Sequence, residues 1–191
     1  IALRGAGGIV CGTEIAGGVR NVYMYDCVFE GTDQAFRFKT RRPRGGFVEN
    51  IYVERVRANV KRQALYCDML GSARWVGELA QRYPAREITP LTPWFANISI
   101  HDVEITGCST LVDVSALPEK PVKNFFFGNV KAHCDRIGKI CDATKFSMKD
   151  VRIESCDTVM RIDNCDYASF FGFSNVTTGS SVKIEKTGGE C

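Results

Sequence analysis

The sequence has few of the features that mark several large classes of protein. It contains only two histidines in 191 residues, and none of its nine cysteines stands at zinc-ligand spacing from another, which argues against a metal site. No apolar run approaches the ~20 residues that span a bilayer, so a membrane partner is not expected. The net charge is only +3. A strongly basic surface, if there is one, must therefore be local.

Nine cysteines are many for this length, and the number is odd. In an oxidising compartment Cys134 and Cys141, or Cys156 and Cys165, can form disulfides. The alternative is that most cysteines are small apolar residues packed inside the protein. Both interpretations fit a domain of ordinary composition, with 45% hydrophobic and 25% charged residues.

The sequence also lacks helical periodicity and Asn-Gly hairpin turns, and instead repeats two kinds of strand. The longer kind starts with a polar residue, continues with alternating β-branched or aromatic residues, and contains a second polar position. Its copies begin at Asn21, Asn50, Asn97, Asn124, Lys145 and Ser169. The shorter kind lies at residues 8–11, 35–38, 64–67, 110–113, 139–142, 159–162 and 181–184.

This repeat predicts an all-β fold, a single-stranded parallel β-helix of about seven coils forming one domain over residues 1–191. Most short strands are roughly 20 to 30 residues apart, and the one longer interval accommodates an inserted loop at residues 71–93. An antiparallel sandwich is the rival fold. One interior ladder is predicted to stack Cys11, Phe38, Cys67 and Cys141. Because Ile1 falls almost on a strand, we expect a preceding segment or a second chain to complete the helix.

The most informative segment is Arg37-Phe38-Lys39. Side chains alternate faces along a strand, so Arg37 and Lys39 are predicted to project together while Phe38 points the other way. Two cations side by side on a rigid sheet form a receptor for an anion such as a carboxylate. Five of the eight residues from 37 to 44 are basic, and the alternative interpretation is a solvated basic turn.

Several segments, in order, resemble bacterial family 28 glycoside hydrolases, the polygalacturonase family, over its C-terminal half to two-thirds. They are residues 5–14, 17–22, 31–33, 37–39, 45–51 and 92–97. The resemblance implies a right-handed parallel β-helix that hydrolyses galacturonate-containing pectic polysaccharide with inversion. It also implies a secreted or periplasmic protein that needs no cofactor.

Residue by residue, the resemblance assigns substrate binding to this chain but not catalysis. The family's Arg-Ile-Lys motif corresponds to Arg37-Phe38-Lys39, which makes both cations ligands for a galacturonate carboxylate. Its Gly-His-Gly motif corresponds to Gly5-Ala6-Gly7, so Ala6 occupies the family histidine position. Engineered inactivation, natural loss of function and altered specificity are all open explanations. The Asn-Thr-Asp and Asp-Asp motifs lie upstream of Ile1 in the family. No catalytic residue is identifiable in this chain, which is expected to be inactive alone.

Two further residues are candidates for substrate binding. Tyr66 is predicted to lie one coil beyond Arg37, where an aromatic ring beside a cation can stack on a sugar, although the direction of its side chain stays open. Glu14 ends a Gly-Thr-Glu turn and either borders the cleft or pairs with a nearby cation.

Other residues are given less specific roles. His101 and His133 are expected on the surface. The loop at residues 71–93 is expected to form one wall of a cleft, with Trp75 or Tyr83 against a sugar face.

Three functions are therefore compatible with the sequence. The first is part of a pectin-degrading glycoside hydrolase, the second a non-catalytic carbohydrate-binding β-helix, and the third a purely structural solenoid. Nucleic-acid binding ranks last because the cations are confined to one turn without interleaved aromatic residues.

Overall fold

The computed structural model describes residues 1–5 and 7–187, and most of its regular structure is β-strand. The strands are β1 Ala2–Leu3, β2 Gly7–Cys11, β3 Val19–Thr32, β4 Gln34–Lys39, β5 Phe47–Val60, β6 Gln63–Asp68, β7 Trp94–Ser115, β8 Val122–Glu154, β9 Val159–Asp166, β10 Ser169–Phe171, β11 Ser174–Asn175, β12 Ser180–Ser181 and β13 Lys183–Lys186.

The long strands pair in parallel, each with the copy one repeat later in the chain. Tyr23 lies opposite Tyr52, Tyr52 opposite Ser99, and Ser99 opposite Phe126. The pairings β3–β5, β5–β7 and β7–β8 continue this register along most of each strand. The predicted all-β, parallel arrangement is confirmed, and the rival antiparallel sandwich is wrong.

The asparagine that begins each of four copies of the longer repeat belongs to a ladder of asparagine side chains. Asn21, Asn50, Asn97 and Asn124 all have a positive φ, between 52° and 58°. The side-chain amide of each later asparagine donates to the side-chain oxygen of the preceding one, at 3.0, 3.1 and 2.9 Å. Asparagine tolerates this left-handed conformation better than most residues. The repeated Asn therefore serves two purposes. It adopts the left-handed backbone conformation, and its side chain hydrogen-bonds to the Asn of the neighbouring strand.

The second polar position of the long strands has the same backbone conformation. Its residues, with φ between 46° and 57°, are Asp26, Arg55, Asp102, Asn129 and Asp150. A left-handed residue interrupts the extended backbone, which explains why the alternating pattern breaks there. Four of the five are Asp or Asn, the residue types that enter this conformation most readily.

The short strands stack in a second parallel series and present two kinds of row. The outward row contains Val10, Arg37, Tyr66, Asp113, Lys139, Arg161 and Glu185. The neighbouring inward row contains Cys11, Phe38, Cys67, Val114, Ile140 and Ile162. The predicted ladder is right for Cys11, Phe38 and Cys67. It is wrong for Cys141, because Ile140 and not Cys141 lies opposite Val114.

The core contains buried residues from both series of strands. Phe38 meets Phe125 edge-on, with ring centroids 6.3 Å apart, and Phe125 stacks on Phe146 at 4.9 Å. All three rings are at most 1% exposed. Contacts of this kind join residues far apart in sequence and hold the outward rows in fixed register.

The segment between β6 and β7 contains the only helical turns in the described part of the chain. They are helix α1, Ala73–Val76, and a 3-10 turn, Gly77–Ala80. Ser72 caps α1 by accepting a hydrogen bond from the Arg74 amide at 3.3 Å. No described helix is both long and apolar enough to cross a bilayer.

The cysteines form neither of the two disulfides that the sequence leaves possible. Cys134, Cys156 and Cys165 are free thiols, whereas Cys141 is disulfide-bonded. Four of the free thiols are buried, namely Cys11, Cys67, Cys108 and Cys134. For these four, the interpretation as small apolar core residues is confirmed. Cys191 lies outside the described residues.

Candidate functional site

Arg37 and Lys39 lie side by side on the outward face of β4. The flanking Phe36 and Phe38 are fully buried, whereas both cations are partly exposed. The strand therefore alternates as the sequence predicts, with two cations facing out and two aromatic rings facing in.

Lys39 is held by a carboxylate on the next strand. Its ammonium lies 3.4 Å from Asp68, whose side chain is 11% exposed. Asp68 also accepts hydrogen bonds from the Leu70 and Gly71 amides, at 3.0 and 2.9 Å, which fixes the turn after β6. Lys39 is thereby positioned, but part of its charge is already balanced.

Arg37 has no such partner. Among the described residues no carboxylate lies within ion-pair distance of its guanidinium, and its buried Nε makes no hydrogen bond. A buried donor without an acceptor costs about 1–3 kcal/mol. An incoming carboxylate would satisfy this donor and neutralise the guanidinium.

Tyr66 lies directly beside Arg37 on β6, as the sequence predicts. Its side chain is on the outward face, and its hydroxyl donates to Asp68 at 3.2 Å. Burial, followed by the nearby Asp68 carboxylate, raises the Tyr66 pKa, so the phenol stays protonated. Stacking on a sugar stays a prediction.

Glu14 lies at the turn after β2 and forms an ion pair with Arg44 at 2.9 Å. Its side chain is 76% exposed. Of the two interpretations offered by the sequence, pairing with a nearby cation is the one seen. Glu14 also borders the cavity next to Lys39, so the two interpretations do not exclude each other.

A cavity of about 280 Å³ adjoins Lys39. It is also lined by Glu14, Arg41 and Trp75. Trp75 comes from α1 and is 68% exposed, with the Arg74 guanidinium 5.3 Å from its ring centroid. Cations beside an exposed aromatic ring are the combination expected for a charged sugar. Arg41 and Trp75 thus lie beside the predicted binding residues Lys39 and Glu14 in three dimensions.

Two arginines hold the inserted segment in place, and Arg42, in the turn after β4, is the first. It binds Glu119 at 2.6 and 2.7 Å, and both side chains are 5% exposed. Arg42 also donates to the Leu79 and Gln81 carbonyls at 2.9 and 2.7 Å. The interpretation of Arg42 as part of a solvated basic turn is therefore wrong.

Arg82 makes the second anchor. Its guanidinium binds Asp142 through two hydrogen bonds of 2.6 and 2.9 Å, and it also contacts Asp163. The side chain of Asp142 is fully buried. Sequence reasoning missed both anchors because the partners are about 60 to 80 residues apart and no local pattern links them.

A separate polar cluster lies on the long strands. Glu54, His101 and Asp102 each place one possible ligand atom within 4.8 Å of the others. His101 is a partly exposed surface histidine, as predicted, but Glu54 lies opposite it in the β5–β7 register. Glu54 already accepts a 2.5 Å hydrogen bond from Tyr23 and pairs with Arg55. These contacts favour a hydrogen-bonded network over a metal centre.

The position that corresponds to the family histidine, Ala6, lies outside the described residues. No family model matches the sequence, and no curated protein or solved structure shows significant similarity to it.

Proposed function

We propose that this chain is a right-handed parallel β-helix and the C-terminal part of a pectin-degrading glycoside hydrolase. The parallel pairing of each strand with its next copy supports the helical arrangement. The stacked short strands then form a cleft floor, and the inserted segment forms one wall. The protein would act outside the cytoplasm on galacturonate-containing polysaccharide, as a secreted or periplasmic enzyme without a cofactor.

The observation that carries this proposal is the pairing of Arg37 and Lys39 on one strand face, next to a cavity bordered by Trp75. Arg37 supplies an unpaired guanidinium, and Lys39 supplies a fixed ammonium. A planar carboxylate suits a guanidinium because it can accept two parallel hydrogen bonds. A uronate sugar carries such a carboxylate on every unit, and its ring offers an apolar face to an indole.

The chain binds substrate in this proposal and does not break the bond. Inverting hydrolysis needs a general acid and a general base about 6.5–9.5 Å apart, with room for water between them. The resemblance locates those carboxylates on a segment upstream of this chain. Arg37 and Lys39 then fix one sugar unit relative to the bond that is cleaved.

The test is hydrolysis of polygalacturonate by the full-length protein, measured as new reducing ends. We expect activity, and we expect Ala6→His to raise it, because a positioned acid–base partner typically contributes ~10²–10⁴-fold. Fully methyl-esterified pectin, which lacks the carboxylates, is the matched control and should be a poor substrate. Failure of Ala6→His to hydrolyse polygalacturonate, with the upstream carboxylates present, would contradict the enzymatic proposal.

A second candidate is a non-catalytic carbohydrate-binding β-helix. The alanine at position 6 favours it, since a binding protein has no need of the histidine. Such a protein would bind oligogalacturonate through Arg37 and Lys39 and release no reducing ends. Binding and hydrolysis measured on the same preparation distinguish the two candidates.

A further inference from the structure

A second group of cations lies on the same outward row as Arg37. Three strands along, the row reaches Lys139, and the next strand adds Arg161. Both border a cavity of about 260 Å³, together with Arg136. At ~4.8 Å per strand, Lys139 lies ~14 Å from Arg37 along the stack. The two groups are thus separate sites on one continuous face.

The three cations of this second cavity are not balanced by ion pairs. Among the described residues, none of Arg136, Lys139 and Arg161 has a carboxylate within ion-pair distance. The buried arginines of the protein, by contrast, are paired, as Arg42 is with Glu119. The three cations outnumber the two carboxylates that line the cavity, so its potential is positive on balance.

The two carboxylates that border the cavity do not cancel this potential. Asp157 accepts hydrogen bonds from the Ile137 and Val159 amides, at 3.0 and 3.2 Å, which fix the position of its carboxylate. Asp113 is partly buried, and burial raises its pKa against the opposing effect of Lys139. Three cations thus face two carboxylates, which leaves a net positive charge at the cavity.

We propose that Arg136, Lys139 and Arg161 form a second anion-binding subsite, which holds another carboxylate of the same acidic polysaccharide chain that Arg37 and Lys39 bind. This inference rests on the proposed function. The distance between the groups exceeds the spacing of adjoining sugars, so the two subsites take non-adjacent units. Occupying both at once makes the second contact intramolecular and raises the affinity for long chains without affecting short ones.

The experiment is calorimetric titration of the full chain with a galacturonate dimer and with a dodecamer. The test variant is Lys139→Ala with Arg161→Ala. We expect it to lose about 100-fold in dodecamer affinity, the effect of losing two charge-assisted contacts, and to bind the dimer as the wild type does. Arg152→Ala removes an exposed cation that lies on β8 but outside the outward row, and it serves as the matched control.

Each other result has a distinct meaning. Equal dodecamer affinity in wild type and test variant overturns the second subsite and leaves the proposed function standing. An equal loss in Arg152→Ala also overturns it, because the effect would then be general charge. Failure of the wild type to bind either oligomer overturns the proposed function and this inference with it. Tighter binding of single-stranded DNA than of the dodecamer overturns the assignment to a polysaccharide.

A single Arg136→Ala variant tests the same subsite in case the double variant does not fold. Arg136 is exposed and makes no ion pair among the described residues, so its removal should leave the unfolding temperature unchanged. It should lower dodecamer affinity in the same direction as the double variant. Unchanged affinity in this folded variant and in the double variant would refute the subsite.

Discussion

Arg37 and Lys39 share a strand face but differ in how their charges are balanced. Lys39 is oriented by Asp68, whereas Arg37 keeps a buried Nε without an acceptor. In the proposed site, the positioned Lys39 ammonium orients the anion and the unpaired Arg37 guanidinium attracts it. Arg37→Ala should therefore weaken anion binding more than Lys39→Ala, because Arg37 has no ion-pair partner among the described residues.

Asp113 sits between the two cationic groups and should weaken anion binding. Asp113→Asn is expected to raise dodecamer affinity about two- to fivefold at neutral pH, since it removes one partly screened repulsion. Titration calorimetry of the variant against wild type checks this. Unchanged or lower affinity would mean that Asp113 contacts the ligand favourably.

The same substitution should change the pH dependence of stability. Because burial raises the pKa of Asp113, its contribution to folding is fully present below the ordinary Asp pKa. That contribution is lost as the pH rises through the raised value. The gain in unfolding free energy from Asp113→Asn should therefore grow over this interval and be absent at lower pH. A gain independent of pH would contradict the assigned cause.

At the scale of elements, the inserted segment is fixed by ion pairs and not by a core of its own. None of the residues of α1 or of the adjacent 3-10 turn is buried. Arg42 donates from the turn after β4 to a carbonyl of the segment, and Arg82 donates from the segment to Asp142 on β8. Trp75 keeps its place beside the cavity through these contacts.

Arg42→Ala is expected to lower the free energy of unfolding by ~3–5 kcal/mol, because Glu119 is left buried and unpaired. Arg44→Ala, which breaks the exposed pair with Glu14, should cost no more than ~1 kcal/mol and is the matched control. Chemical denaturation measures both. Similar losses for the two variants would show that the buried Arg42–Glu119 pair does not have the predicted weight in stability.

The asparagine ladder gives a second test at this scale. Asn97→Ala should cost ~2–4 kcal/mol, since it removes two side-chain hydrogen bonds and places alanine at a φ of 56°. Asn97→Gly loses the same hydrogen bonds without the backbone strain and should cost ~1–2 kcal/mol less. Equal stability of the two variants, measured by denaturation, would show that the conformation is not what selects asparagine.

At the scale of the whole molecule, the repeat in the sequence was enough to predict parallel strands and the outward pairing of Arg37 with Lys39. Alternation and the recurring Asn carry that information locally. The repeat did not predict the exact register of the strands after Tyr66. The insertion and the unequal repeat lengths shift which residues lie opposite each other, so Ile140 and not Cys141 lies opposite Val114. The Arg42 anchor and the Arg136 cavity depend on distant partners and leave no local pattern.

The molecule as a whole is only weakly basic, and one outward row brings Arg37, Lys139 and Arg161 together with the carboxylates Asp113 and Glu185. Parallel stacking is what produces this arrangement, since residues from distant parts of the sequence become neighbours ~4.8 Å apart. A rigid row of this kind suits a polymer whose charges also recur at a fixed spacing. The central claim is that this face binds acidic polysaccharide.

The most direct test is titration of the protein with a galacturonate dodecamer, comparing wild type with Arg37→Ala/Lys39→Ala. Two charge-assisted contacts predict a loss of about 100-fold in affinity, and salt should weaken the wild-type binding. The Arg152→Ala variant should bind as the wild type does. Unchanged affinity in the double variant would contradict the account and leave the protein as a structural solenoid with a solvated basic turn.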